Sequence, residues 1–138
     1  MEPKSDIEQG IRTVLEQHPK VTLAILFGSV ANGTARFESD LDLAVHGESP
    51  LTTDEKMRLI GDLAVLSGRP IDLVDMRTAG LPILKQIFTK GRRLLGSNSL
   101  YATLLTRFQV DYADFMPLRE RMLRKRRMRW LGKREDAP

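Results

Sequence analysis

The chain has 138 residues, of which 41% are hydrophobic and 29% charged, and this is the composition of one soluble globular domain. The absence of cysteine excludes disulfide bonds and thiolate metal sites, and we expect neither a membrane span nor a signal peptide, as suits a cytoplasmic protein. The net charge of +4 is uneven, because residues 119–134 hold nine Lys or Arg and one Glu, which gives them +8 and leaves −4 on the rest of the chain.

The first half of the sequence predicts alternating helices and strands. Residues 5–17 carry an apolar stripe at helical spacing, and the nearly continuous apolar run at 21–27 predicts a buried strand. A short helix is predicted over 29–35 and a second strand over 41–46. Residues 53–66 follow a threonine cap and are predicted to be helical.

The second half continues this alternation and ends in a long helical segment. A third strand is predicted over 71–76, a helix over 81–89 and a short edge strand over 93–95. A helix is expected from residue 99 to 116. We expect Pro117 to kink or restart it, because proline suits the first turn of a helix and not its interior.

The alternation predicts an α/β or α+β domain with a small mixed β-sheet backed by helices. Residues 1–97 would form the core, and residues 98–138 a C-terminal helical extension that ends in the basic tail. Such a tail is a candidate contact surface for nucleic acid or an acidic partner, although it is equally well explained as a solvated helix.

The most informative pattern lies between the first two predicted strands. Gly28 and Ser29 follow the first strand, and ten residues later Asp40 and Asp42 open the second. Two carboxylates at positions i and i+2 of a strand project from one face, where they repel unless a divalent metal lies between them. Backbone N–H groups of a Gly-Ser turn are suited to phosphate oxygens. The joint pattern therefore predicts nucleotide chemistry, although each residue alone would be an ordinary cap or surface acid.

The spacing Gly-Ser-x10-Asp-x-Asp resembles the active-site signature of the DNA polymerase β-like nucleotidyltransferase superfamily. The flanking sequence at 26–29 and 39–45, and the run Ile-Asp-Leu-Val-Asp-Met at 71–76, are similar to the minimal nucleotidyltransferases, or MNT proteins. These are the partners of HEPN-domain toxins in bacterial and archaeal toxin–antitoxin pairs. The resemblance covers about residues 7–96. It implies the polymerase β-like nucleotidyltransferase fold.

The resemblance also implies a third carboxylate on the next core strand. We assign it to Asp72, which lies early in its strand, as Asp40 and Asp42 do in theirs. Asp75 is three residues further on and points to the opposite face, so we expect it to have a structural role near Arg77.

The resemblance assigns roles to these residues. Asp40, Asp42 and Asp72 would be catalytic and would hold two Mg²⁺ ions, with ATP as the substrate. Gly28 and Ser29 would bind the β- and γ-phosphates, and Gly33 would let the following helix approach the nucleotide closely.

The implied function is that of an antitoxin that is also an enzyme. It would transfer AMP from ATP to a tyrosine hydroxyl of a cognate HEPN ribonuclease toxin, release pyrophosphate, and form a hetero-oligomer with that toxin. Three alternatives stay open. They are a small-molecule nucleotidyltransferase of the aminoglycoside type, an antitoxin that acts by binding alone, and a nucleic-acid module acting through residues 119–134. The last is not favoured, because Trp130 is the only aromatic residue in that stretch.

Overall fold

The computed structural model describes residues 4–33 and 39–131. Its elements in chain order are α1 (Lys4–Glu16), β1 (Val21–Phe27), α2 (Gly28–Asn32), β2 (Leu41–Gly47), α3 (Thr53–Ser67), β3 (Ile71–Asp75), α4 (Leu81–Lys90), β4 (Arg92–Leu95) and α5 (Asn98–Trp130). The helices and strands predicted for the first 97 residues are present within one or two residues of their expected ends. The exception is the short helix α2, whose predicted end at residue 35 lies outside the described residues.

The four strands form one mixed sheet in the order β3-β2-β1-β4. β1 pairs antiparallel with both β2 and β4, whereas β2 and β3 run parallel. The two central strands are buried along almost their whole length, which explains why each reads as a continuous apolar run. The predicted fold class, a small mixed sheet backed by helices, is confirmed.

One face of the sheet packs against α1 and α3. Ile11 and Leu15 of α1 and Leu59 and Leu63 of α3 are fully buried, and each pair has the four-residue spacing of a helix stripe. α3 begins with a capping box. The Thr52 hydroxyl accepts from the Glu55 N–H, and the Glu55 carboxylate accepts from the Thr52 N–H at 2.7 Å.

Glu55 also ties α3 to the turn before β1. Its carboxylate accepts a hydrogen bond from the Lys20 ammonium at 2.8 Å. This bond, followed by the one from the Thr52 N–H, lowers the pKa of Glu55 from 4.5 to about 2. The folded state then releases its proton more readily than the unfolded state does. The stabilisation is complete above about pH 4.5 and is lost as the pH falls towards 2.

We therefore predict that Glu55→Gln flattens the acid limb of the stability curve. Glutamine keeps the capping geometry and loses only the charge, so urea unfolding at pH 7 should show a small destabilisation. The difference in the free energy of unfolding between wild type and variant should shrink between pH 4.5 and pH 2. A difference that stays constant over this range would contradict the assignment.

The other face of the sheet packs against α4 and α5. Ile87 of α4 is buried there, and Phe88 stacks on Phe108 of α5 with ring centroids 5.2 Å apart. α5 is capped at its N-terminus by Ser97, whose hydroxyl accepts from the Leu100 N–H. Within the described residues, no helix is long and apolar enough to cross a membrane.

The prediction that the helix restarts at Pro117 is wrong. α5 runs through Pro117 without interruption for 33 residues. Proline removes one hydrogen bond from the helix, but the next five residues, Leu-Arg-Glu-Arg-Met, are all strong helix formers and carry the helix onward.

Candidate active site

The sheet register brings three chain segments together at one edge. In the antiparallel pair of β1 and β2, Asp42 lies opposite Phe27, the residue before Gly28. In the parallel pair of β2 and β3, Asp42 lies opposite Asp72. The end of β1 and the beginnings of β2 and β3 therefore meet around Asp42, on the sheet face that α4 and α5 cover further along.

The carboxylates of Asp42 and Asp72 are close enough to share a hydrogen bond. Burial, the hydrogen bond and negative charge of Asp72, and then the charge of Asp40 together raise the pKa of Asp42 from 3.8 to about 6. All four causes act in the same direction, so the arrangement destabilises the ionised form of Asp42. The predicted grouping of Asp40, Asp42 and Asp72 is thus present in the structure.

The turn after β1 lies directly against this acidic group. Gly28 has a φ of +77°, and a Cβ at this position would lie 2.1 Å from Oδ2 of Asp42. Only glycine therefore fits between the backbone and the carboxylate. Ser29 continues into α2, which is capped by Gly33 with a φ of +75°, so Gly33 ends the helix as a left-handed cap.

Two charged residues that sequence reasoning missed hold α2 in place. Arg92 donates from Nη2 to the Ala31 carbonyl of α2 at 2.9 Å, and its Nη1 lies 3.3 Å from Oε2 of Glu8. Glu8 is buried, and it lies on the same stripe of α1 as Ile11 and Leu15. The position of Glu8 in an apolar helix stripe could have indicated a buried ion pair. The sequence does not show that its partner is Arg92, 84 residues away.

Asp75 has a different environment from Asp72. It is buried, and its two oxygens accept from the Leu51 N–H at 2.8 Å and the Arg77 N–H at 2.9 Å. These bonds fix the end of the β2–α3 connection against the end of β3. They agree with the expectation that Asp75 has a structural role.

His46 lies on the same strand face as Asp42 but four residues further on, about 13 Å along β2. It lines a separate cavity of about 250 Å³ between the end of β3, α4 and α5. Burial, and then the nearby Arg77 cation, lowers the pKa of its imidazole. His46 is therefore remote from the three carboxylates.

Comparison with known proteins identifies the family. Residues 9–100, most of the chain, match the family described as Polymerase beta, Nucleotidyltransferase. The chain belongs to this nucleotidyltransferase family. The matched range contains every residue of the acidic group and the Gly28-Ser29 turn, and the resemblance inferred from the sequence is confirmed.

The proteins similar to this chain include an adenylyltransferase and two toxin–antitoxin structures. Protein adenylyltransferase MntA of Shewanella oneidensis is 34% identical over 87 residues, which make up 63% of each chain, so the chain spans less than two thirds of that relative. A toxin–antitoxin crystal structure with AMP-PNP is similar with a TM-score of 0.79 and 28% identity, covering 86% of this chain and 96% of that one. A complex of tri-AMPylated Shewanella oneidensis HEPN toxin with MNT antitoxin has a TM-score of 0.76 and 25% identity, covering 89% and 98%.

The acidic group of this nucleotidyltransferase fits a divalent metal by its chemistry. Carboxylate oxygens are preferred ligands of Mg²⁺, which commonly takes one or two of them together with substrate phosphates and water. Within the described part of the chain, no three acidic or histidine side chains are placed to enclose a metal by themselves. Nucleotide oxygens would complete the coordination, and the cation would relieve the repulsion that raises the pKa of Asp42.

The two candidate third carboxylates can be separated by matched substitutions. We predict that Asp72→Asn greatly reduces nucleotide transfer and leaves the melting temperature unchanged or raised, because it removes a charge that repels Asp42. Asp75→Asn should instead destabilise the fold by about 1–3 kcal/mol, because it weakens two buried hydrogen bonds to backbone N–H groups.

Thermal unfolding and single-turnover transfer by both variants check this prediction. Loss of transfer by a fully folded Asp75→Asn variant, with transfer retained by Asp72→Asn, would exchange the two assignments.

Proposed function

We propose that this protein transfers AMP from ATP to a tyrosine hydroxyl of a cognate HEPN ribonuclease toxin and thereby acts as its antitoxin. The observation that carries the proposal is the contact between the Gly28 turn and the Asp42 carboxylate, with Asp72 paired beside it. The closeness of the turn to the carboxylates supports a phosphate-binding role for the turn and a metal-binding role for the acidic group. The similarity to MntA and to complexes with HEPN toxins supports the choice of acceptor.

In the proposed reaction, the acceptor oxygen forms a bond to the α-phosphorus of ATP. The bond from that phosphorus to the bridging oxygen breaks, and pyrophosphate leaves. Asp72 takes the hydroxyl proton or orients the hydroxyl for its loss. Two Mg²⁺ ions, held by Asp40, Asp42 and Asp72, would stabilise the charge on the attacking and leaving oxygens.

The remaining parts of the site would hold the nucleotide. Gly28 and Ser29 would bind the β- and γ-phosphates through the backbone and the serine hydroxyl, and Gly33 would allow α2 to end close to them. Residues 1–97 would carry the catalysis and residues 98–138 would form the extension. We place the reaction in the cytoplasm, where ATP and Mg²⁺ are available.

The modification itself would silence the toxin. A phosphodiester on tyrosine removes a hydroxyl and adds a negative charge, and either change would disturb a site that binds and cleaves RNA.

Intact mass spectrometry of the acceptor tests the proposal. The protein encoded by the adjacent gene is incubated with this protein, ATP and Mg²⁺, and the products are then mapped by peptide analysis. We expect a gain of whole AMP units on tyrosine, which chelation of Mg²⁺ prevents. A stable complex without any mass gain would overturn catalysis and favour inhibition by binding alone.

A further inference from the structure

The second half of α5 extends beyond the body of the protein. At 1.5 Å per residue, the 33 residues of α5 span about 50 Å. The first half packs on α4, where the ring of Phe108 stacks on that of Phe88. The ring centroids of Phe108 and Tyr112, both on α5, are 5.4 Å apart. From residue 117 to residue 131, every side chain is exposed. About four turns of helix are therefore not covered by the rest of the chain.

This segment is poorly suited to stand alone in water. Isolated helices of about 15 residues are marginal even in alanine-rich sequences. Here Arg121, Lys125 and Arg129 follow one another at four-residue spacing, which places like charges side by side on the helix. Pro117 removes one hydrogen bond at the base of the segment. A partner that supplies negative charge would stabilise the helix.

The segment also presents apolar side chains in a helical stripe. Leu118 and Met122 follow Phe115 at spacings of three and four, so they continue the face with which Phe115 and Tyr112 lie against α4. The side chain of Leu118 is 51% exposed and that of Met122 is 58% exposed. Trp130, which lies two turns beyond Leu123, is 83% exposed. Tryptophan and methionine are enriched in the buried centres of protein interfaces.

The charge of the segment selects the partner. Residues 117–131 hold seven Lys or Arg and one Glu. A second copy of this chain would place one strongly basic helix against another, so self-association through this face is opposed. Phosphates of RNA would match the charge but would leave the stripe of leucine and methionine uncovered. A protein groove with an apolar floor and an acidic rim satisfies both features.

We propose that residues 115–131 form a docking helix for an acidic, apolar-floored groove on the protein that receives AMP. The identity of this partner as the AMP acceptor rests on the proposed function, whereas docking by the helix does not. The apolar side chains of the segment would be buried in the groove, and its arginines, including Arg126 and Arg129 on the same face, would pair with carboxylates of the partner.

The test compares binding and transfer in the full chain. The probe is the protein encoded by the adjacent gene, and the dissociation constant is measured by calorimetry at two salt concentrations. Met122→Ala with Trp130→Ala removes two of the exposed apolar side chains, and Arg126→Glu with Arg129→Glu reverses the charge at two positions of the segment. Met57→Ala with Val65→Ala is the matched control, because both side chains are exposed on α3.

We expect each α5 variant to weaken binding by about tenfold or more, whereas the α3 control binds as wild type does. Added salt should weaken wild-type binding, and it should affect the charge-reversed variant less. At saturating acceptor, the α5 variants should reach the wild-type kcat with a raised KM. Asp40→Asn with Asp42→Asn should bind normally without transferring AMP, which separates a failure of catalysis from a failure of docking.

Three results would overturn the docking helix. The first is α5 variants that bind the acceptor as tightly as wild type does. The second is a wild-type dimer in sedimentation experiments that these variants dissociate. The third is loss of RNA binding in these variants while acceptor binding is retained.

Discussion

Replacing Asp40 and Asp42 with asparagine is expected to abolish AMP transfer and to leave the fold intact. Both carboxylates lie at the start of β2, and the charges of Asp40 and Asp72 already oppose ionisation of Asp42. Charge stabilisation by a metal is worth several kcal/mol, so we expect transfer to fall by about 10³-fold or more. The rate of AMP incorporation into the acceptor in single-turnover experiments is the measurement.

The same variant should be at least as stable as wild type when no metal is present. Asparagine removes the like charges that repel one another, and active-site carboxylates of this kind commonly reduce stability for the sake of function. Added Mg²⁺ and ATP should raise the melting temperature of wild type and not that of the variant. These unfolding measurements distinguish a lost metal site from a damaged fold.

Asp111→Asn with Asp114→Asn is the matched control. It removes two exposed carboxylates from α5 and changes the net charge by the same amount. This control should transfer AMP at the wild-type rate. Wild-type transfer by the Asp40 and Asp42 variant would show that the metal assignment is wrong.

The grouping of Asp42 with Asp72 could be predicted because the family resemblance implies a third carboxylate on the next core strand, and the position within the strand then selects Asp72. Both residues stand at the beginning of apolar runs that read as buried strands, and the beginnings of parallel neighbours meet at one edge of a sheet. The period of two along a strand also separates Asp72 from Asp75.

The support of α2 could not be predicted because it depends on distant parts of the chain. Glu8 and Arg92 lie 84 residues apart, and only the packing of α1 beside β4 and α2 brings them together. The restart of α5 at Pro117 was predicted wrongly for a different, local reason. The local rule for Pro117 was correct about the lost hydrogen bond, but the strong helix formers that follow outweighed it.

Gly28→Ala is also expected to reduce AMP transfer strongly, although it adds only a single methyl group. The φ of +77° makes alanine strained at this position by about 1–2 kcal/mol, and the new Cβ would lie 2.1 Å from Oδ2 of Asp42. Either the turn or the carboxylate must move. A displacement of about 1 Å in a catalytic site can reduce the rate by about 10²-fold, and we expect at least this loss in kcat/KM for ATP.

Gly68→Ala separates backbone strain from the clash. Gly68 caps α3 with a φ of +68°, and a Cβ there would meet no atom within 4 Å. Both variants should therefore lose a similar amount of stability from left-handed strain, about 1 kcal/mol or more in urea unfolding. Only Gly28→Ala should lose transfer, because only there does the added atom displace Asp42. Equal transfer rates in the two variants would mean that the Gly28 turn does not position the acidic group. A loss of transfer in Gly28→Ala alone would show that Gly28 is needed to position the Asp42 carboxylate.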